Sequence, residues 1–237
     1  MKKTVVVTGT SRGLGQKIAE DLISNGYFVV GVSRSTNLEL LEQTANYAEL
    51  LFDFSKIQEI PEFCSRIVER HGSPFALVNN AAIGSDGLLA TQNNKEIEHT
   101  LSTNLLAPIL LTKYLSRQML QNREGRVVNI SSIVASTGYR GLSVYAATKA
   151  GLLGFSRSLS RELGPRGVTV NAIQPGFMHT DMTTKIGEEH LQKIERRSPL
   201  GRLADLRDIS SMVVHLLGEG GKNITGQTFV IDAGNSA

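Results

Sequence analysis

The amino-acid sequence predicts an α/β fold: a doubly wound parallel sheet of about seven strands with helices on both faces, in one domain over residues 1–237. Three observations predict it. Short β-branched runs alternate with helical periodicity along the whole chain, the pattern of strands joined by crossover helices. A glycine-rich turn separates the first run from the first helical stretch. No linker, internal repeat or low-complexity tract interrupts the alternation.

Lys3 to Thr8 is a β-branched run closed by Gly9 and reads as a fully buried strand. Thr8-Gly9-Thr10-Ser11-Arg12-Gly13-Leu14-Gly15 follows, and then the helical pattern Ile18, Ala19, Leu22, Ile23. Glycines let a backbone come close to a ligand, and a helix N-terminus offers unpaired N–H groups to a phosphate. The same residues satisfy Gly-x-Ser-x-Gly, the turn that presents a hydrolase nucleophile, which would make Ser11 reactive. That reading needs a late histidine, and His215 lies inside the amphipathic stretch Ile209 to Leu217; no strand precedes the turn either. Phosphate binding is the stronger reading.

Tyr27 to Val32 is the second strand, followed by Ser33-Arg34-Ser35. An acid here would bind the ribose 2′-hydroxyl of NAD, whereas a basic group accommodates the 2′-phosphate of NADP. No acid follows until Glu39, while Arg34 and Arg12 can reach a phosphate, so the expectation is NADP(H). Ala48 to Phe52 is the third strand, with Asp53 at its end placed to meet the adenine edge. Ile57 to His71 is helical. Phe75 to Ala82 is a fourth strand running into a turn, where Asn79 and Asn80 are expected to tie down loop backbone. Lys95 to Gln121 reads as one long helix bent near Pro108. Asn104 within it needs partners if buried, as a structural residue or as the holder of a water in a proton relay.

Arg126 begins the fifth strand, which Ser132 ends, and a helix continues to about Leu163. Tyr145 and Lys149, four apart, emerge from one face of that helix. An ammonium beside a phenol favours tyrosinate and lowers its pKa, and a hydroxyl such as Ser132 can hold a substrate oxygen. The three together suit proton transfer to or from a carbonyl or alcohol oxygen. Val168 to Ile173 is strand six. Pro175-Gly176 then opens a mixed segment through Met178, Thr180, Met182 and Thr183 to Pro199, expected to be a movable lid. Asp205 to Leu217 is the last helix, with Asp205 or Asp208 near its start, and Thr225 to Asp232 is the seventh strand.

Composition bounds the function. Hydrophobic residues make up 41% and charged residues 20%, enough to bury a full core. The single Cys64 excludes an internal disulfide framework and fits a reducing compartment. The N-terminal apolar run is too short for a signal sequence, and no stretch approaches the length of a bilayer span. Net charge is +3 with both signs scattered, so neither a nucleic-acid groove nor a membrane tail is expected. The expected location is the cytoplasm.

In order and spacing, Thr8-Gly9-x-x-x-Gly13-x-Gly15, Asn79-Asn80-Ala81-Ala82, Asn104, Ser132, Tyr145-x-x-x-Lys149 and Pro175-Gly176 resemble the short-chain dehydrogenase/reductase family over essentially the whole chain. Among its branches the chain is most similar to 3-oxoacyl-(acyl-carrier-protein) reductases. The resemblance implies a Rossmann-type fold and NADPH-dependent reduction of a ketone. It implies Tyr145 as general acid, Ser132 orienting the carbonyl oxygen, Lys149 holding the nicotinamide ribose and depressing the Tyr145 pKa, and Asn104 anchoring a water. It further implies a nucleotide site of Gly9, Ser11, Arg12, Gly13, Leu14, Gly15, Arg34, Asp53, Asn80, Ala81, Tyr145, Lys149, Pro175, Gly176 and Thr180, with no metal. A homotetramer and a substrate either small or borne by an acyl-carrier protein complete the implied picture. Two positions depart from the family pattern: Ala82 and Ala233 stand where glycine is usual. Ile83, Leu88, Val134, Leu142, Phe177, Met178 and Met182 are expected to line an apolar pocket, with Arg126 and Arg166 near it to meet an acidic carrier. A sugar or polyol dehydrogenase and a non-enzymatic NADP-binding regulator remain alternatives.

Overall fold

The structure, a computed structural model, describes residues 2–84, 86–180 and 187–237. Its centre is a seven-stranded, all-parallel sheet of order β3-β2-β1-β4-β5-β6-β7. The strands are β1 (Thr4–Thr8), β2 (Phe28–Ser33), β3 (Tyr47–Leu51), β4 (Ala76–Asn79), β5 (Gly125–Ile130), β6 (Val168–Pro175) and β7 (Thr228–Ile231). The order reverses between β1 and β4, which opens a crevice at the carboxyl ends of the central strands.

The valine run of β1 shows why the sheet is covered on both faces. Val5 and Val7 belong to one core with Ile18 and Leu22 of helix α1 (Gly13–Ser24) and Ile209 and Val213 of the last helix (Leu206–Leu217). Val6, pointing the other way, packs with Phe63 and Ile67 of α3 (Ile60–His71) and with Leu111 and Leu115 of the helix Ala107–Asn122. Side chains alternate along a strand, so a run apolar at every position is a run buried twice.

Three elements differ from the sequence expectation. A short helix α2 (Leu38–Gln43) follows β2, capped by the Asn37 side chain accepting from Leu40 N at 3.2 Å. The long helix expected from Lys95 to Gln121 is two helices, α4 (Asn94–Leu101) and α5 (Ala107–Asn122), joined by a π turn at Ser102–Leu106. The irregularity therefore sits at Asn104, and Pro108, which has no N–H to give, lies in the first turn of α5 directly after it. Beyond β6 the mixed segment contains a helix, Glu188–Arg197, while Met182 and Thr183 lie outside the described residues. Remaining helices are α6 (Val134–Thr137), α7 (Ser143–Leu163), α8 (that Glu188–Arg197 helix) and α9 (Leu206–Leu217). Asp205 and Asp208 form a reciprocal capping box at the start of α9.

Candidate active site

At the end of β1 the chain turns through Gly9, whose φ is +79°, into α1. A Cβ on Gly15 would fall 2.0 Å from the Gly9 carbonyl oxygen, so only glycine lets the helix sit this close to the strand end. Among the described residues no side chain caps α1, and its first turn holds no acid. Its leading N–H groups and positive dipole end therefore suit an anion. Ser11 and Arg12 lie on the turn, half-buried and exposed respectively, whereas Leu14 is buried in the core and anchors the helix.

The strand across the crevice holds this turn in place. Thr8 Oγ1 accepts from the backbone N–H groups of Asn80 and Ala81, each at 2.9 Å, and Asn80 Nδ2 donates to Thr8 O at 2.9 Å. Asn80 ties loop backbone as expected. Asn79 turns inward instead, donating to Asn129 Oδ1 at 2.8 Å and Thr112 Oγ1 at 3.1 Å.

Arg34 is exposed just beyond β2. Asp53 follows β3, and its carboxyl is held below the ordinary range, first by the Ser55 N–H that it accepts at 2.9 Å. Burial opposes this, and the nearby charges of Arg34 and His99 assist. No acid follows Arg34 closely in the chain, but one arrives from the neighbouring strand. The sheet register sets Glu49 opposite Gly31, and its carboxylate accepts Asn37 N at 3.0 and 3.1 Å.

Ser132, Tyr145 and Lys149 come together at the carboxyl end of β5. The Ser132 and Tyr145 hydroxyls are hydrogen-bonded. Lys149 is 2% exposed, and its Nζ donates to Ile130 O at 2.8 Å. Burial of the ammonium lowers its pKa to about 8. The expected depression of the Tyr145 pKa is not found among the chain's own groups. Burial pushes the phenol up to about 12; the Ser132 hydrogen bond pulls it down and the Asp86 carboxylate adds to the rise. Low-dielectric surroundings here set the direction of the shift.

Asn104 is wholly buried in the π turn, with both ends of its amide used on one residue. Its Oδ1 accepts Ile83 N and its Nδ2 donates to Ile83 O, each at 2.8 Å. Its side chain thus fixes the loop after β4, the structural one of the two roles expected for it. Pro175 and Gly176 close the far side, with Pro175 O accepting Ile133 N at 3.0 Å and Gly176 N donating to Ile231 O at 2.8 Å. Thr180 lies just beyond them, half-buried. The loops after β4 and α6 meet where Gly87 N donates to Gly141 O at 2.9 Å.

Other expectations fail. Arg126 is buried at the entering end of β5, its guanidinium 5.4 Å from the centre of the Phe75 ring. It and Arg166, which precedes β6, stand at the amino-terminal ends of their strands, remote from Ser132, so neither borders the site. Among the proposed apolar lining residues, Val134 is buried and Met178 packs on the core, while Leu88 is exposed and Met182 lies outside the described residues. The His215 ring lies against Gly220, at the far end of α9 from its capping box.

A sequence profile described as short chain dehydrogenase matches residues 3–191. The 3-oxoacyl-(acyl-carrier-protein) reductase of Pseudomonas aeruginosa is 39% identical over 238 residues, covering 98% of this chain and 96% of that protein. The reductase of the same name from Escherichia coli is 37% identical over 235 residues, covering 98% and 96%. A crystal structure of an actinorhodin polyketide ketoreductase variant with NADPH superposes with a TM-score of 0.92 at 30% identity, covering 99% of this chain and 97% of that one.

Proposed function

The chain belongs to the short-chain dehydrogenase family, and on that premise we propose that it reduces the ketone of a 3-oxoacyl thioester to a secondary alcohol with NADPH. The observation that carries the reading is the convergence of Ser132, Tyr145 and buried Lys149 beside a glycine turn that opens an uncapped helix. The residues fit the nucleotide. The Gly9–Gly15 approach leaves room for backbone alone, and Lys149 has two N–H donors beyond the one given to Ile130 O. Gly9, Gly13, Gly15 and the start of α1 would hold the diphosphate, Arg34 and Arg12 the 2′-phosphate, and Lys149 and Tyr145 the nicotinamide ribose. Asp53, Asn80, Ala81, Pro175, Gly176 and Thr180 would complete the walls. When bound, NADPH supplies the reducing equivalent for the carbonyl carbon.

The chain's own part is proton delivery and alignment. Ser132 orients the carbonyl oxygen, and Tyr145 donates the proton to it. A phenol pushed up to about 12 is fully protonated near neutrality, as an acid in reduction must be. Lys149 keeps its charge close by and favours the phenolate as it forms. Asn104 contributes by holding Ile83, and so the loop over the site, in one position. Fixing ring, carbonyl and phenol together lowers the barrier through orientation.

The single domain 1–237 carries both nucleotide and substrate machinery in this reading, in a cytoplasmic homotetramer acting on a carrier-bound or other small substrate. Exposed Leu101 and Leu106 beside the long helices support association. Among the described residues no helix is long and apolar enough to cross a membrane. A cyclic or polyketide carbonyl is the second reading, favoured by the ketoreductase neighbour. NADPH consumption with an acetoacetyl thioester, beside a panel of cyclic ketones and sugars, separates the two. Turnover of the thioester is expected. Turnover confined to the panel transfers the chain to another carbonyl, and a Tyr145→Phe variant with undiminished turnover overturns the mechanism.

A further inference from the structure

Thr10, inside the glycine turn, is completely buried, and neither of its polar ends is left to chance. Its carbonyl accepts Asn37 Nδ2 at 3.0 Å, and its hydroxyl lies 3.0 Å from the hydroxyl of Tyr47, which starts β3 two strands away. The Tyr47 hydroxyl is also 3.1 Å from Glu49 Oε1. A phenol has one proton, and a carboxylate can only accept. Tyr47 therefore gives its proton to Glu49, and the Thr10 hydroxyl donates to the phenol oxygen. Glu49 in turn holds Asn37 N, closing a ring of hydrogen bonds from the glycine turn to the turn that bears Arg34.

The strand between makes room for this ring. A Cβ on Gly31 would stand 2.1 Å from the Tyr47 hydroxyl oxygen and 2.6 Å from Thr10 Oγ1. The phenol thus crosses β2 at the one place where β2 has no side chain. Gly31 has no positive φ, so what it provides is space alone.

We propose that Tyr47, passing over Gly31 and ending on Glu49, is a positioning residue for the nucleotide. It holds the phosphate-facing turn at Thr10 and the turn bearing Arg34 in one rigid arrangement, so that both halves of NADPH meet a preformed site. The inference rests on the reading that this crevice takes NADPH. A turn free to leave its competent shape binds more weakly in proportion to the time spent elsewhere.

The test is Tyr47→Phe, which keeps the ring and removes the hydroxyl, with NADPH affinity read directly from the change in nucleotide fluorescence on binding. The dissociation constant for NADPH is expected to rise roughly five- to tenfold, as the loss of one or two buried hydrogen bonds implies. At saturating NADPH kcat is expected to fall less than twofold, and the ratio of NADPH to NADH affinity is expected to drop. Gly31→Ala, which pushes the phenol off its path, is the second variant and is expected to weaken NADPH in the same way. Wild-type affinity in a folded Tyr47→Phe protein, or a loss confined to kcat, overturns the inference while NADPH binding stands. A wild-type protein that binds no NADPH overturns it together with the function proposed above.

Discussion

Lys149 Nζ stands 5.7 Å from the centre of the Tyr145 ring and gives a hydrogen bond to Ile130 O at 2.8 Å. The two groups titrate away from their ordinary values in opposite senses, the ammonium from 10.5 to about 8 and the phenol from 10.0 to about 12. Burial disfavours the charged form of each. The site therefore carries an ammonium whose burial works against the fold.

Removing that ammonium is expected to stabilise the protein. Below pH 8 both folded and unfolded chains hold the lysine proton, and its burial costs roughly 3 kcal/mol. From about pH 8 to 10.5 the unfolded chain binds more protons, so stability rises with pH. Above pH 10 the tyrosine reverses the trend, because the unfolded phenol ionises first. Lys149→Met is expected to gain roughly 1–2 kcal/mol at pH 7, the orphaned Ile130 carbonyl taking back part of the gain. The same variant is expected to lose reductase activity. Urea unfolding at pH 7 checks the first point, and a midpoint below wild type contradicts it.

Tyr145→Phe is expected to lower kcat by about 10²–10⁴-fold, the usual contribution of a positioned acid, with NADPH affinity within a few-fold of wild type. Steady-state rates beside direct nucleotide binding decide this.

Asp86 raises the Tyr145 pKa from the loop after β4. With Asp86→Asn the phenol becomes more acidic. In alcohol oxidation, where the phenolate is the base, the rising limb of kcat/KM against pH is expected to move to lower pH. An unmoved limb removes Asp86 from the electrostatics of the site.

Arg34→Asp is expected to raise KM for NADPH at least tenfold and to lower KM for NADH, since an acid repels the 2′-phosphate and can bind the 2′-hydroxyl. Kinetics with both nucleotides read the ratio; an unchanged ratio takes Arg34 out of the phosphate site.

Ala233 has a φ of +56°, a left-handed conformation that costs an L-residue roughly 1–2 kcal/mol. Glycine relieves that strain and gives up about 0.4–1 kcal/mol of unfolded-chain entropy. Ala233→Gly is therefore expected to stabilise by up to about 1 kcal/mol, seen as a modest rise in Tm with activity unchanged.

What the sequence made legible was local. β1, the glycine turn and α1 are contiguous, and Tyr145 and Lys149 share a helix face by spacing alone. Arg126 was legible too and was misplaced: a residue that begins a parallel strand sits at the end away from the ligand crevice. Tyr47 and Glu49 could not be connected to Thr10 without knowing that β3 pairs with β2 and β2 with β1. The π turn around Asn104 has no compositional mark, because Ser-Thr-Asn-Leu-Leu is compatible with an ordinary helix. Within it Asn104 reaches back to Ile83 across 21 positions of chain, a partner that local spacing does not indicate.

The last residues curl back on the segment that leads away from the site. Asp232 accepts the backbone N–H groups of Gly234 and Ser236, at 2.9 and 2.7 Å, and the Ala233 carbonyl receives Ser198 Oγ at 2.5 Å and Leu200 N at 3.3 Å. Ser198 directly follows the helix Glu188–Arg197. An affinity tag fused behind Ala237 would thus tug on the seat of that helix, so kinetic measurements belong on protein tagged at its other terminus or cleaved free of any fusion.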